Sequence, residues 1–395
     1  MIVQKYKDML GMKSVIREIS GYAVQRGKEI GYENVFDYSL GNPSVPVPEK
    51  FNRVIEELLR EREPVALHGY SPNHGLLEVR EKVAASLARR FGLPYEAEDI
   101  FMTSGAAGSI AHAVRAVVAP GEEIIIFAPF FPEYVPYIEA TGAVLKVVPA
   151  DRENFQIDFE AFEELCNEKT AAVLINTPNN PSGIVYSTET IEKLGKLLKE
   201  KESRFGHPIY IISDEPYREI VFEGVDAPCV SRLYDNTLMC YSFSKSLSIP
   251  GERIGYVAVN PHCEDAALIV DMCTQISRGI GHNCPSSLIQ LAVAEMLEET
   301  SDLSVYETNM KILYKELTAL GFTCVKPGGT FYIFPKAPIE DARKFCKDAL
   351  KYDLCLVPGD SFGCQGYFRM AYCIQTEKVE RSLEAIRKIA GDYGM

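Results

Sequence analysis

Short, almost entirely apolar runs alternate with amphipathic stretches through the middle of the chain, and this alternation restricts the fold more than any other feature. The runs are IFMT (100–103), EIIIFA (123–128), AAVLIN (171–176), IYIIS (209–213), TLMCYS (237–242) and IGYVAV (254–259). Between them, residues 109–118 and 190–202 repeat apolar side chains at intervals of three and four, which predicts helices. Strands that are apolar at nearly every position are typical of a mostly parallel sheet with helices on both faces. The sequence therefore predicts an α/β fold.

The pattern changes toward the C-terminus, where long helices are followed by separate strands near TFYIF (330–334) and YFRMAYC (367–373). This mixture predicts a second, smaller α+β domain, and a length of 395 residues agrees with more than one domain. We expect an N-terminal segment (residues 1–45) that packs with the small domain, a large domain (46–288) and the small domain itself (289–395).

The charge of the chain excludes several classes of partner. With 41 Lys and Arg against 55 Asp and Glu, the formal net charge is −14, and no run of basic residues offers a site to nucleic acid or an anionic membrane. We therefore expect neither partner. The segment after Met1 lacks the apolar core of a signal peptide, and no window is apolar over the length of a membrane span. These observations predict a cytoplasmic protein.

The eleven cysteines and six histidines have no recognisable ligand spacing. The cysteines occur singly, without a CxxC pair, so we expect reduced and mostly buried thiols. The histidines show no HExxH or similar pattern, and the sequence predicts no metal site.

Polar segments follow the predicted strands at the edge of the sheet where ligands usually bind, beyond the carboxyl ends of the strands. The first segment, TSGAAG, continues into a predicted helix. Its small residues let the backbone approach a ligand closely, and the free amides at a helix start favour a phosphate. Small residues at such a turn are also typical of simple tight packing.

Two further segments place charged side chains at the same edge. Asp214 of SDEPY follows a buried strand, and a carboxylate there stays ionised only if a cation pairs with it. By itself, however, Asp214 is also a good helix N-cap. Lys245 of SFSKSLSIPGERIGY is flanked by Ser242 and Ser244 and followed by Arg253, a grouping that suits a lysine of lowered pKa beside a phosphate. As isolated residues, a solvated lysine and a surface arginine are more common.

In this order the segments resemble the fold type I pyridoxal-phosphate aminotransferases of class I and II, the aspartate aminotransferase superfamily. The pattern SxSKxxxxPGxRxGY, with NxPxNPxG and DExY upstream of it, carries the resemblance over nearly the whole chain. The resemblance implies that Lys245 is the Schiff-base lysine and that Asp214 is the partner of the pyridine nitrogen. It implies that Asn180 and Tyr217 bind the phenolic oxygen of pyridoxal phosphate, and that Phe131 stacks on its ring.

The resemblance also assigns the phosphate and the substrate. It assigns the phosphate to Gly105, Ala106, Ala107, Ser242, Ser244 and Arg253. Arg369 matches the arginine that binds the substrate α-carboxylate, although a single late arginine is as often part of a surface ion pair. Gly41 and Asn42 match the family's substrate loop.

By the same resemblance, Tyr70 implies a homodimer with shared active sites. Tyr70 matches the tyrosine that reaches the phosphate of the neighbouring subunit, whereas on sequence grounds alone it is a turn residue. Arg278 matches the arginine that binds the distal carboxylate of acidic substrates in one branch of the family. The following HNCPSS departs from the usual SNPP, and Arg278 is equally suited to a helix end or the dimer surface.

The reaction that these residues imply is transfer of an amino group from an L-amino acid to a 2-oxo acid such as 2-oxoglutarate. Aspartate, or another acidic or aromatic amino acid, is the expected donor. One alternative is a C–S lyase on the same fold, since the residues that bind the ring are common to both. The other is a ligand sensor of the aminotransferase-like transcription regulator type, which the acidic chain and the early start of the fold disfavour.

Overall fold

The computed structural model describes residues 2, 4, 7, 10 and 14–395. In chain order, the first elements are α1 (Val15–Ile30), β1 (Phe36–Asp37), α2 (Glu49–Glu61), α3 (Pro64–His68), α4 (Leu77–Phe91), β2 (Ile100–Thr103), α5 (Ala106–Val117), β3 (Glu123–Phe127), α6 (Tyr134–Glu139), β4 (Val144–Val148), α7 (Phe159–Leu165), β5 (Thr170–Asn176), α8 (Thr188–Phe205) and β6 (Tyr210–Asp214). They are followed by α9 (Val230–Leu233), β7 (Thr237–Ser242), α10 (Phe243–Ser246), β8 (Gly255–Val259), α11 (Ala266–Ile280), α12 (Ser287–Ala294), α13 (Ser304–Ala319), β9 (Tyr332–Ile333), α14 (Ala342–Ala349), β10 (Leu354–Cys355), β11 (Val357–Pro358), β12 (Phe368–Ala371) and α15 (Thr376–Asp392).

Within the described part of the chain, seven strands form a central sheet in the order β2-β8-β7-β6-β5-β3-β4. Neighbours are parallel except for β8, which is antiparallel to both β2 and β7. Each predicted strand is present, and the predicted α/β architecture is confirmed. The edge strand β4 (VLKVV) was not predicted, because Lys146 interrupts its short apolar run. In the structure Val144 (42% exposed) and Val147 (38% exposed) lack the burial of the central strands.

Helices cover both faces of this sheet. Successive side chains of a strand point to opposite faces, so a strand that is apolar at nearly every position needs cover on both. On one face, Ile124 and Ile126 of β3 pack in a cluster with Ile110 of α5. On the other face, Ile125 of β3 packs in a cluster with Leu194 of α8. Burial of each such side chain contributes about 1.5–3 kcal/mol, so the sheet and its helices form a rigid base for the loops at its edge.

The carboxyl ends of several strands meet at one edge of the sheet. Asn176 at the end of β5 is paired with Asp214 at the end of β6. Because β8 is reversed, its first residue, Gly255, is paired with the last residue of β7, Ser242, and with the last residue of β2, Thr103. The ends of β2, β5, β6 and β7 and the beginning of β8 therefore lie together.

The C-terminal part of the chain forms a separate hydrophobic cluster around the antiparallel sheet β11-β12-β9 and the helices α13, α14 and α15. Tyr38 from the N-terminal segment belongs to this cluster, and β1 pairs with β10. Helix α12 spans the expected boundary at residue 288, and its Ile289 and Leu291 pack in the same cluster as Phe51 of α2. The division into domains stays a prediction, and these contacts favour a boundary after α12. Among the described residues, no helix is both long and apolar enough to cross a membrane.

Candidate active site

A cavity of about 320 Å³ lies at the edge where the strand ends meet. Most of the predicted site residues line it, namely Gly41, Ala106, Ala107, Phe131, Asn180, Asp214, Tyr217, Ser242, Ser244, Lys245, Arg253 and Arg369. Gly105 lies directly behind this lining, since a Cβ atom on it would be 2.8 Å from a terminal nitrogen of Arg253. The structure thus brings together side chains from segments far apart in the sequence.

Three further predicted residues do not line the cavity within one chain. Tyr70 is 98% exposed. Arg278, near the end of α11, is exposed and donates a hydrogen bond to Gln275 at 2.8 Å. Asn42 is exposed, next to the lining residue Gly41. The roles of Tyr70 and Arg278 require a partner subunit, and all three assignments stay predictions.

Lys245 lies on the single turn of α10 that follows β7, and its side chain points toward the N-terminal segment. Its Nζ donates a hydrogen bond to the carbonyl oxygen of Gly41 at 2.8 Å. Burial lowers the pKa of the Lys245 ammonium to about 8, and the positive charges of Arg253 and Arg369 act in the same direction. A lysine with this pKa has a substantial neutral fraction near physiological pH, as a nucleophilic amine requires.

Asp214 ends β6 and is 5% exposed. One carboxylate oxygen, Oδ2, accepts a hydrogen bond from the Tyr134 hydroxyl at 2.5 Å, while Oδ1 is buried and has no partner among the described residues. Burial raises the pKa of Asp214 to about 7, the hydrogen bond from Tyr134 opposes this rise and the charge of Glu215 adds to it. The interpretation of Asp214 as a helix N-cap is not supported. Among the described residues, no backbone N–H group that follows Asp214 donates a hydrogen bond to its carboxylate.

Tyr134 is a site residue that the sequence analysis missed. It is the first residue of α6 and is almost fully buried. It lies three residues after Phe131 in the motif APFFPEY, and the two rings make an edge-on contact with centroids 5.6 Å apart. The signal that could have found it is general: a buried carboxylate needs hydrogen-bond donors, and here the segment after β3, two strands away from β6 in the sheet, supplies one.

Arg369 is buried in the cavity wall, with 2% of its surface exposed. It donates hydrogen bonds to Asn180 Oδ1 at 3.0 Å and to the carbonyl oxygen of Ser39 at 2.5 Å. Its guanidinium lies against the rings of Tyr332 and Phe362, 4.6 Å and 4.9 Å from their centroids. Burial lowers its pKa, its Nε has no partner, and no carboxylate pairs with it among the described residues. The surface ion-pair interpretation is therefore wrong, and Arg369 is available to an anion in the cavity.

Another part of the cavity lining has the properties of an anion site. Helix α5 begins at Ala106, its first turn has no acidic side chain, and its first amides have no acceptor within the helix. The hydroxyl of Ser242 donates to that of Ser244 at 2.7 Å. The guanidinium of Arg253 donates only to the carbonyl oxygens of Pro250 and Ser104, at 3.1 Å and 3.2 Å, so no carboxylate neutralises it among the described residues. Amides, hydroxyls and an arginine together favour a phosphate.

Comparison with known proteins assigns the chain to a family. Residues 33–386 match the model of the family described as aminotransferase class I and II. The chain belongs to this family. It is 32% identical to an aspartate aminotransferase of Thermotoga maritima over 90% of this chain and 91% of that one. It is 30% identical to the aromatic-amino-acid aminotransferase 2 of Thermococcus litoralis over 91% of this chain and 92% of that one.

Solved structures agree with this assignment. The structure of an aminotransferase from Eubacterium rectale has a TM-score of 0.96 and 45% identity, with 100% of both chains covered. The aspartate aminotransferase from Thermotoga maritima has a TM-score of 0.86 and 28% identity, with 96% and 97% covered. The predicted fold type I and the predicted aminotransferase activity are confirmed. This aminotransferase is an enzyme that acts on small amino and 2-oxo acids, and nothing in these comparisons favours the C–S lyase alternative.

Proposed function

We propose that this aminotransferase binds pyridoxal phosphate in the 320 Å³ cavity, covalently through Lys245, and moves an amino group from an L-amino acid to a 2-oxo acid such as 2-oxoglutarate. The observation that supports this most strongly is the pair of groups at the sheet edge. A lysine of lowered pKa and a buried carboxylate with one unpartnered oxygen line the same cavity.

The lining residues fit the cofactor from end to end. The free Oδ1 of Asp214 is suited to accept a hydrogen bond from the protonated ring nitrogen, which also supplies the cation that the buried carboxylate lacks. Tyr217 and Asn180 line the cavity and would bind the phenolic oxygen, and Phe131, also in the lining, would stack on the ring face. The phosphate belongs to the anion site formed by the start of α5, Ser242, Ser244 and Arg253.

The bound cofactor supplies an electron sink that makes the Cα proton of the amino acid acidic. Lys245 Nζ would hold the cofactor through its aldehyde group until the amino group of the substrate replaces it. The freed amine would then take up the proton from the substrate Cα and return it to the cofactor. One flexible side chain could serve both proton transfers, because it would act as base and then as acid.

Arg369 orients the substrate through its carboxylate. Its planar guanidinium can donate two parallel hydrogen bonds, and its Nε has no other described partner. The arginine is already buried and fixed by Asn180 and the carbonyl of Ser39. Little side-chain conformational entropy is therefore lost when the carboxylate binds.

The rest of the cavity lining bears on the choice of donor. It includes the apolar and aromatic side chains of Ile16, Leu40 and Tyr332, and the cations in the described lining are Lys245, Arg253 and Arg369 alone. An aromatic side chain fits such walls directly. An acidic donor needs a further cation, for which Arg278 of the partner subunit in a homodimer is our candidate. The homodimer and the cytoplasmic location stay predictions.

A single-turnover experiment tests the proposed function. The cofactor-loaded protein is mixed with aspartate, phenylalanine or alanine, one at a time and without an acceptor, and the visible absorption and the products are followed. We expect loss of the aldehyde form with one equivalent of 2-oxo acid per site, and recovery of the absorption after addition of 2-oxoglutarate. Repeated release of ammonia and a 2-oxo acid from a β-substituted donor such as a cysteine conjugate, without an acceptor, would instead establish the lyase.

A further inference from the structure

Tyr332, the first residue of β9, has contacts that no part of the proposed chemistry uses. It is almost fully buried, lines the cavity, and is paired with Ala371, two residues from Arg369 on the neighbouring strand β12. Its backbone is fixed on both sides. The N–H group donates to Thr330 Oγ1 at 3.1 Å, and a Cβ atom on Gly183 would lie 2.4 Å from its carbonyl oxygen. The ring therefore has a defined position.

The hydroxyl of Tyr332 reaches two segments that meet the cofactor site. It lies 3.2 Å from the hydroxyl of Tyr217. It also lies so close to Gly41 that a Cβ atom there would be 1.9 Å away, and the carbonyl of Gly41 is the acceptor for Lys245 Nζ. Only a glycine leaves room for this hydroxyl, so the loop that holds the lysine is shaped around Tyr332.

The guanidinium carbon of Arg369 lies over the ring of Tyr332, 4.6 Å from its centroid, and Phe362 provides a second aromatic contact at 4.9 Å. A cation held against an aromatic face is stabilised electrostatically, and the effect is larger when both groups are removed from water. The hydrogen bonds to Asn180 and Ser39 hold the two terminal nitrogens of the arginine. The aromatic contacts then restrict rotation of the guanidinium plane about the line that joins these nitrogens.

We propose that Tyr332 is a positioning residue with two separable roles, in which its ring orients Arg369 for the substrate carboxylate and its hydroxyl holds Tyr217 for the cofactor. This inference rests on the proposed function. When Tyr217 donates its proton to the phenolic oxygen, only its lone pairs remain for Tyr332, so the Tyr332 hydroxyl is the donor in that pair. A hydroxyl that accepts one hydrogen bond donates a stronger one, because the two bonds polarise each other.

Two substitutions of Tyr332 separate these roles, and one of Phe362 serves as the matched control. Tyr332→Phe removes the hydroxyl and keeps the ring, whereas Tyr332→Leu removes both. Phe362→Leu removes the other aromatic contact of Arg369 and touches no hydroxyl. Two properties of the cofactor-loaded proteins are measured. One is the pH midpoint of the visible absorption, and the other is the dissociation constant of 3-phenylpropionate, an unreactive carboxylate.

For Tyr332→Phe we expect the pH midpoint to rise by about 0.5 unit or more, because a weaker bond from Tyr217 leaves more negative charge on the phenolic oxygen. The affinity for 3-phenylpropionate should stay within about twofold. Tyr332→Leu should show the same shift and weaken 3-phenylpropionate by roughly 5- to 30-fold. Phe362→Leu should weaken the carboxylate by a similar factor and leave the pH midpoint unchanged.

An unchanged pH midpoint in Tyr332→Phe would overturn the role of the hydroxyl, and unchanged carboxylate binding in Tyr332→Leu would overturn the role of the ring. If Tyr332→Leu does not fold, Tyr332→Phe still tests the hydroxyl, and Tyr332→Met, which fills the space without an aromatic face, tests the ring by the same loss of 3-phenylpropionate binding. Failure of the proposed function has a different signature: wild-type protein would then show no pH-dependent visible absorption with added pyridoxal phosphate.

Discussion

Replacement of Tyr134 by phenylalanine tests whether Asp214 must be ionised to hold the cofactor. The Tyr134 hydroxyl donates a hydrogen bond to Asp214 Oδ2 at 2.5 Å, and both side chains are buried. Loss of a hydrogen bond to a charged group costs about 1.5–3 kcal/mol, and each pKa unit corresponds to about 1.4 kcal/mol. Since the pKa of Asp214 is already raised to about 7, the substitution should move it to roughly 8–9.

The sign of the effect follows from the charge that binding requires. A carboxylate whose pKa is raised loses its negative charge as the pH falls below that value. At pH 7 the ionised fraction of Asp214 should fall by roughly 5- to 50-fold in the variant, and at pH 9 by only about twofold or less. The affinity for pyridoxal phosphate should fall by the same factors, since the protonated ring nitrogen pairs with the anion.

Equilibrium titration with pyridoxal phosphate measures these factors, and a Lys245→Ala background keeps binding noncovalent and removes the titration of the lysine. Tyr137→Phe is the matched control, because Tyr137 lies on the same helix and lines the cavity without a described hydrogen bond to Asp214. In an Asp214→Asn background, Tyr134→Phe should lose its pH-dependent effect. A loss of affinity that is equal at pH 7 and pH 9 would refute this reasoning.

Three further predictions concern Lys245, Asp214 and Arg278. Borohydride reduction of the cofactor-loaded protein should label Lys245, as peptide mapping would show, and Lys245→Ala should bind cofactor but lose transamination; a label elsewhere contradicts the assignment. Asp214→Ala should slow α-proton exchange, followed by NMR, by several orders of magnitude, whereas Asp214→Glu should be milder because it keeps the anion; small, equal effects would leave Asp214 without a catalytic role. Arg278→Ala should lower kcat/KM for aspartate and glutamate by about 100-fold and leave alanine unchanged; a uniform fall for every donor would indicate a structural role.

Much of the large sheet could be predicted because its strands are buried on both faces. A run such as AAVLIN is apolar at nearly every position, and β5 indeed spans Thr170–Asn176. The edge strand β4 has a shorter run that Lys146 interrupts, as is usual for an edge strand, which has a neighbouring strand on one side only. The reversal of β8 could not be predicted either, because IGYVAV has the same apolar pattern as the parallel strands around it.

The positions of Lys245, Asp214 and Arg369 around one cavity agree with the sequence-based expectation, whereas Tyr134 and Tyr332 were missed. Lys245, Asp214 and Arg369 are charged, and a charged side chain at a position that is expected to be buried needs a partner or a function. A tyrosine in an apolar segment is usual in any core, so nothing in TFYIF marks Tyr332 as different from its neighbours. Its importance depends on which loops meet it, and that is a property of the tertiary structure.

The reversal of β8 also has a consequence for engineering. Because Gly255 is paired with Ser242, the chain leaves the sheet and returns to it at the same edge, and the loop between them carries Ser244, Lys245 and Arg253. A parallel strand of this length would place its first residue roughly 13 Å away, at the far edge. Residues 242–255 are therefore a loop with both ends anchored on adjacent strands, and we expect that its exchange between related aminotransferases leaves the path of the surrounding sheet unchanged.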